Sequence, residues 1–195
     1  MMNKMPFMYK IGKLILGPIF KWFYNPKIIG KENIPLKESI IIAGNHKHLY
    51  DQCLAIISTK RFIKYMAKRE YFDNFKTRWF FKSVGCIPVD RSKKDEEAKE
   101  IAIKTLLNGG AIGIFPEGTR NKTNKLLPFK YGAVSMAKKT NSYIVPFGIR
   151  GSYTFKSKDL TIKFGKPFKV GNLSLEEANT LLYKKVDELI KDTLK

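Results

Sequence analysis

Cysteine and histidine are scarce in this sequence, with two of each among 195 residues. Cys53 and Cys86 lie in apolar stretches without CxxC spacing, which favours free, buried thiols in a reducing compartment. His46 and His48 stand only two positions apart, and no group of four residues has the spacing of a zinc site. The sequence therefore gives no support to a metal centre, and we expect no cofactor.

Acidic residues are also few, since 17 Asp and Glu stand against 37 Lys and Arg, a formal net charge of +20. A chain with this charge is expected to meet something anionic: nucleic acid, a phosphorylated substrate or a membrane surface. Hydrophobic residues make up 44% and aromatic residues 13%, which excludes a disordered chain. The length predicts one domain with a sizeable core.

The apolar segment at residues 5–24 is interrupted by Lys10, Lys13 and Lys21, whereas a transmembrane helix needs about 20 apolar residues with few charges. It also lacks the small-residue cleavage site of a secretory signal. On a helix the three lysines share one narrow stripe with Gly17, and nearly all the remaining surface is apolar or aromatic. This pattern predicts a helix in a membrane interface with its lysines toward anionic headgroups. A helix packed on the domain is the alternative.

The rest of the chain alternates apolar runs with polar turns, which predicts strands alternating with helices. We expect a single α/β domain in which helices flank a mostly parallel or mixed central sheet, together with the N-terminal amphipathic helix. Pro146 predicts that the strand at 143–149 is an edge strand or ends there. Ser92 is predicted to cap the helix that follows the strand at 85–91. Residues 71–84 are aromatic and basic, and either pack on the core or line a lipid-facing groove.

A histidine and an aspartate stand where the predicted strand at 39–44 turns into the predicted helix at 50–58. On an unbroken helix His46 and Asp51 would point about 140° away from each other. They form a pair only if the chain turns between them and returns the carboxylate to the ring. Such a carboxylate fixes the imidazole tautomer and leaves the other nitrogen free to take a proton. The alternative is a helix-capping His46 beside a solvated Asp51.

Two cations further along the chain stand where a phosphate can bind. Arg91 ends the strand at 85–91 and is placed to grip a phosphate bidentately, although pairing with Asp90 is an alternative. Lys130 stands at the N-terminus of a predicted helix, where it opposes the helix macrodipole and costs stability unless an anion is near.

The predicted strand at 111–115 runs into Pro116-Glu117-Gly118-Thr119-Arg120. Gly118 allows a tight turn with exposed backbone N–H groups, Thr119 adds a hydroxyl and Arg120 adds a guanidinium, a set that suits a phosphate. Glu117 is expected to orient Arg120 or to accept a hydrogen bond from a substrate hydroxyl. An ordinary Pro-Glu-Gly turn is the alternative.

Together these segments resemble the four ordered blocks of the glycerolipid acyltransferases, and most of all the 1-acyl-sn-glycerol-3-phosphate acyltransferases. The matching blocks are Asn45-His46-x4-Asp51, Gly85-x-Ile87-x-Val89-Asp90-Arg91, Phe115-Pro116-Glu117-Gly118-Thr119-Arg120 and Ile144-Val145-Pro146. The first block is weak evidence alone, but it rarely coincides by chance with the third. Pro88 departs from the pattern, because a bulky residue usually precedes the last apolar position of the second block.

The resemblance implies transfer of an acyl chain from acyl-CoA or acyl carrier protein to 1-acyl-sn-glycerol 3-phosphate (lysophosphatidate), giving phosphatidate. Glycerol 3-phosphate or another lysolipid is the alternative acceptor. By resemblance, His46 is the base and Asp51 its orienting partner. The residues implied to bind the glycerol phosphate are Arg91, Glu117, Gly118, Thr119, Arg120 and Lys130. A thioester is already reactive, so no serine or cysteine nucleophile is required.

We expect residues 1–25 to form the membrane-anchoring helix and residues 26–195 to form the acyltransferase domain. The basic surface is expected to hold a peripheral enzyme on anionic phospholipid, at the cytoplasmic face of the cell membrane. A basic, non-catalytic protein on membrane or nucleic acid is the alternative from another class. Nucleic acid is not expected, because the polar residues gather at strand ends rather than alternating with aromatics on exposed strands.

Overall fold

The computed structural model describes residues 4–90, 95–123 and 125–192. Within these ranges the chain forms one seven-stranded sheet: β1 Lys27–Ile29, β2 Ile40–Gly44, β3 Ile63–Lys68, β4 Ile87–Val89, β5 Ala111–Ile114, β6 Tyr143–Arg150 and β7 Thr161–Phe164. The α-helices are α1 Phe7–Tyr24, α2 Asp51–Ile57, α3 Glu70–Asp73, α4 Phe75–Ser83, α5 Glu96–Leu107, α6 Gly132–Thr140 and α7 Leu175–Asp192, and a 3-10 turn spans Lys31–Asn33.

The strand order is β1-β7-β6-β2-β5-β3-β4. The five strands from β6 to β4 run parallel to one another, whereas β7 runs antiparallel to β6 and carries β1 in parallel. The prediction of a single α/β domain with a mostly parallel, mixed sheet is confirmed. Because β2 and β5 are parallel neighbours, the residues that follow them meet at one edge of the sheet.

Strand β2 anchors both layers of the core. Its successive side chains point to opposite faces: Ile41 packs with buried residues of α5, α6 and α7, and Ile40 and Ile42 pack with Leu54 of α2 and with Tyr24 of α1. All three isoleucines are completely buried. Burial of each isoleucine side chain contributes about 1.5–3 kcal/mol to the stability of the fold, so the three together stabilise β2 at the centre of the sheet.

Pro146 does not mark an edge strand, and that prediction was wrong. It is buried in β6, which lies between β2 and β7. Its carbonyl accepts the Gly165 N–H at 2.8 Å, on the side where β7 has just ended at Phe164. The N–H that proline lacks would point to the same side. A central strand therefore tolerates proline here because the antiparallel ladder starts only at Phe147.

Helix α5 begins later than predicted. Ser92, the expected cap, lies outside the described residues, and the N-cap is Asp95. Asp95 Oδ1 accepts the Ala98 N–H at 3.0 Å, and Oδ2 accepts the Asp90 N–H at 2.8 Å. One carboxylate therefore caps α5 and fastens the end of β4 to it.

Helix α1 packs on the domain through part of its lysine stripe. Gly17 is buried, with its missing Cβ only 3.6 Å from Ile57 Cγ2 of α2. The Lys13 ammonium donates to the carbonyls of Thr59 and Arg61. The expectation that the lysines face headgroups is therefore wrong for Lys13, because a small residue beside it lets the stripe approach α2.

The opposite side of α1 leaves large apolar side chains exposed: Phe7, Leu14, Ile15, Leu16, Ile19 and Trp22. No helix in the described part of the chain is both long enough and apolar enough to cross a membrane.

Candidate active site

The chain turns between β2 and α2, and the turn brings His46 and Asp51 together. The Nδ1–H of His46 donates to Asp51 Oδ2 at 2.9 Å, since a carboxylate can only accept. The same oxygen accepts the backbone N–H groups of Lys47 at 2.6 Å and of His48 at 2.7 Å. Asp51 is completely buried at the first position of α2. The predicted contact between His46 and Asp51 is therefore present, and Nε2 of His46 remains available to a substrate.

The second oxygen of Asp51 has a partner that the sequence did not indicate. Asp51 Oδ1 accepts the hydroxyl of Tyr153 at 2.7 Å. Burial, followed by the negative charge of Asp51, raises the pKa of Tyr153, so the hydroxyl stays protonated and donates. Tyr153 lies in the loop between β6 and β7, about a hundred residues from Asp51 in sequence. No local pattern marks such a residue, so only the fold could reveal it.

Glu117 joins the ends of β2 and β5. Its Oε1 accepts the His46 N–H at 2.9 Å, and its Oε2 accepts Asn121 Nδ2 at 2.7 Å and the Leu127 N–H at 3.0 Å. The Asn121 N–H donates to the His46 carbonyl at 2.6 Å. Glu117 is only 4% exposed. Protein donors bind both carboxylate oxygens, and Glu117 thereby fixes the backbone of His46, a role that the sequence did not predict.

The turn after β5 brings Gly118 and Lys130 together. Gly118 has a φ of +72°, which favours glycine, and a Cβ there would lie 2.9 Å from Lys130 Cε. The Lys130 side chain therefore passes directly over the turn, while its N–H donates to the Pro116 carbonyl at 2.9 Å. Thr119 and Arg120 are exposed next to it. The sheet edge that carries His46 therefore also carries the Gly118 backbone, the Thr119 hydroxyl and the two cations Arg120 and Lys130. Arg91 lies outside the described residues.

A cavity of about 810 Å³ opens beside His46. Its lining includes the apolar side chains of Met66, Ile114 and Met136, together with Lys130, Lys99 and the carboxylates of Asp90, Asp95 and Glu96. The Phe115 ring lies nearly parallel to the imidazole, with centroids 4.0 Å apart, and covers one of its faces. A cavity of this size suits a small-molecule substrate with an apolar part.

The two cysteines are poor nucleophiles. Burial raises the pKa of Cys53 to about 11 and that of Cys86 to about 12. Only a thiolate is a strong nucleophile, so both thiols are poorly reactive at neutral pH. Across the described ranges, no three His, Cys, Asp or Glu side chains are grouped so that they could hold a metal ion.

Comparison with known proteins decides the family. A family model described as Acyltransferase matches residues 25–150, more than half of the chain. This chain belongs to the acyltransferase family. The matched region contains His46, Asp51 and Lys130, whereas α1 precedes it and Tyr153 follows it.

Curated relatives of this acyltransferase are named 1-acyl-sn-glycerol-3-phosphate acyltransferase. The one from Bacillus subtilis is 32% identical over 165 residues, which is 82% of each chain. The one from Borreliella burgdorferi is 35% identical over 148 residues, 74% of this chain and 59% of the relative. A crystal structure of the 1-acyl-sn-glycerophosphate acyltransferase from Thermotoga maritima has a TM-score of 0.77 at 26% identity, covering 94% of this chain and 78% of that one.

Proposed function

We propose that this acyltransferase moves a fatty acyl chain from a thioester donor, acyl-CoA or acyl carrier protein, to the free hydroxyl of 1-acyl-sn-glycerol 3-phosphate, giving phosphatidate. The observation that carries this proposal is His46, oriented by the buried Asp51 at the edge of a largely apolar cavity. The names of the relatives supply the acceptor.

His46 acts as general base in this reaction. With Nδ1 donating to Asp51, Nε2 takes the proton of the acceptor hydroxyl as that oxygen attacks the thioester carbonyl. The new C–O bond forms, the C–S bond breaks, and the imidazolium returns the proton to the departing thiolate. Asp51 stabilises the positive charge on the ring between the two transfers. The thioester supplies its own leaving group, so the reaction draws on no further cofactor.

The acceptor is positioned by its phosphate. The Gly118 turn, Thr119, Arg120 and Lys130 provide the anion site beside His46. The role of Arg91 in binding the phosphate stays a prediction from the sequence. The apolar wall of the cavity takes an acyl chain. Fixing both ends of the substrate places the hydroxyl against Nε2, which lowers the entropic part of the barrier.

Membrane association brings the lipid acceptor to the site. Two observations support it: the exposed apolar side of α1, and α4, where Phe75, Trp79 and Phe80 are exposed beside Lys76 and Lys82. Exposed aromatics interleaved with cations suit the surface of an anionic bilayer. On this proposal the enzyme is a peripheral protein of the cytoplasmic face of the cell membrane, with its N-terminal helix in the interface.

The test is an assay of the purified protein in mixed micelles with labelled acyl donors. The acceptors to compare are lysophosphatidate, glycerol 3-phosphate and lysophosphatidylcholine, and we expect lysophosphatidate to be acylated with the highest kcat/KM. His46→Ala is expected to lose at least about 100-fold in kcat, because general-base help is worth that much. Its circular dichroism spectrum, which should match the wild type, controls for misfolding. A folded His46→Ala protein within about tenfold of wild-type activity would contradict the mechanism.

A further inference from the structure

We propose that Tyr153 is a positioning residue for the acyl transfer and acts through Asp51. The inference rests on the proposed function, in which His46 is the base and Asp51 orients it. Tyr153 follows the region that matches the acyltransferase family model, and its role comes from the contacts of this chain.

Asp51 is held by donors on both of its oxygens. Oδ2 receives the imidazole and two backbone N–H groups, all of which lie on the short turn between residues 46 and 51. Oδ1 receives the Tyr153 hydroxyl at 2.7 Å, from a different part of the fold. Without that hydroxyl, a buried carboxylate oxygen loses a charge-assisted hydrogen bond, and only donors of the short turn hold the carboxylate against the imidazole.

The ring of Tyr153 is fixed between the active-site turn and α1. It stacks on His48 with centroids 4.4 Å apart, and it meets Tyr24 and Phe20 of α1 edge to face at 5.6 and 6.3 Å. The Lys156 N–H also donates to the Phe23 carbonyl at 2.7 Å. The hydroxyl is therefore aimed at Asp51 by contacts that the ring and the loop backbone make with α1.

The loop that carries Tyr153, residues 151–160, is also stabilised by hydrogen bonds between its own residues. Asp159 Oδ1 accepts the Ser157 hydroxyl at 2.8 Å and the Ser152 N–H at 3.2 Å, and Ser157 Oγ accepts the Leu160 N–H at 3.0 Å. The hydrogen bond from Ser157 and, less strongly, the one from Ser152 lower the pKa of Asp159, so this carboxylate stays charged at neutral pH. These hydrogen bonds within the loop hold its backbone in one conformation, and they therefore help to fix the direction of the Tyr153 hydroxyl.

Tyr153→Phe separates positioning from packing, because phenylalanine keeps the ring contacts and removes only the hydroxyl. We expect kcat to fall about tenfold or more, the scale of one hydrogen bond to a charged group, with KM for donor and acceptor within about twofold of wild type. Tyr50→Phe is the matched control: its ring lies 6.1 Å from Tyr153 in the same aromatic group, and we expect its kcat to be unchanged. Thermal unfolding of both variants checks that they are folded.

A second measurement asks whether Tyr153 acts through Asp51. Added to Asp51→Asn, Tyr153→Phe is expected to lower the residual kcat by less than about twofold, because no charged carboxylate remains for the hydroxyl to hold. An additive loss would overturn the inference, as would a Tyr153→Phe protein with wild-type kcat. If His46→Ala is inactive in that case, the proposed function stands and only the role of Tyr153 falls. If His46→Ala retains wild-type activity, both fall.

Discussion

At the scale of single residues, Asp51 collects donors from three directions: the imidazole of His46, two backbone N–H groups of the turn, and the Tyr153 hydroxyl. The sequence indicated the first of these, since the spacing of His46 and Asp51 makes sense only if the chain turns. It did not indicate Tyr153, and for Glu117 it predicted a contact with Arg120 or with the substrate rather than with the His46 backbone. Both are partners that meet the site across different strands, so no local pattern specifies them.

The exposed Arg120 is where the phosphate hypothesis is best tested. Arg120→Ala is expected to raise the KM for lysophosphatidate at least about tenfold and to change the donor KM little, because a guanidinium–phosphate pair is a strong charge-assisted contact. Lys122→Ala, which removes an exposed cation two positions later, is the control and should leave the acceptor KM unchanged. Steady-state kinetics with each substrate varied in turn measures both, and equal effects of the two variants would point to general charge rather than a site.

At the scale of elements, periodicity predicted α1 but not the side on which it packs. The lysine stripe and the apolar side are both visible in the sequence. Packing against α2 requires a close approach at Gly17, and that puts Lys13 inside the contact rather than in water. A similar limit applies to Pro146, because whether a strand is central depends on its neighbours. It applies also to α5, whose N-cap Asp95 binds both the Ala98 N–H and the Asp90 N–H at the end of β4.

Lys13 makes the docking of α1 depend on pH. Burial, with a smaller effect from the charge of Lys21, lowers the pKa of Lys13 from 10.5 to about 8. Between pH 8 and 10.5 the unfolded chain keeps a proton that the folded chain has released, so this lysine makes stability rise with pH in that window. The free energy of unfolding of the wild type, measured in urea, should therefore increase relative to that of Lys13→Gln as the pH rises through the window.

Lys10→Gln is the control for that measurement, since Lys10 is exposed on the same helix. Its pH dependence should follow the wild type. Parallel curves for the wild type and for Lys13→Gln would show that Lys13 is not desolvated by the docking of α1.

At the scale of the whole molecule, a net charge of +20 is combined with an apolar surface on one helix. The C-terminal end of α1 contacts Tyr153, and Tyr153 contacts the active-site turn, so the helix that exposes this apolar surface packs with its other side beside the site. That adjacency fits an enzyme whose acceptor lies in a bilayer.

The apolar side of α1 is tested by pelleting with phosphatidylglycerol vesicles. Replacing Leu14, Leu16 and Trp22 together by serine should weaken binding at least about tenfold, because each side chain loses its transfer into the interface. Leu36→Ser with Leu107→Ser is the matched control, since these two are as exposed, at 64% and 66%, but precede β2 and β5 at the opposite edge of the sheet. Binding by the wild type should also weaken with salt. Equal loss in both sets would mean that α1 is not the contact.

The sequence by itself determined the α/β class, the buried strands, and the segments that meet at the edge of the sheet, because hydrophobic period and turn residues are local properties. It also determined that His46 and Asp51 pair if the chain turns. Only the tertiary structure decided which side of α1 faces the domain, that β6 is central despite Pro146, that Glu117 binds the backbone of His46, and that Tyr153 completes the shell of Asp51. Each of these depends on residues far apart in the chain that meet only after the strands have taken their order.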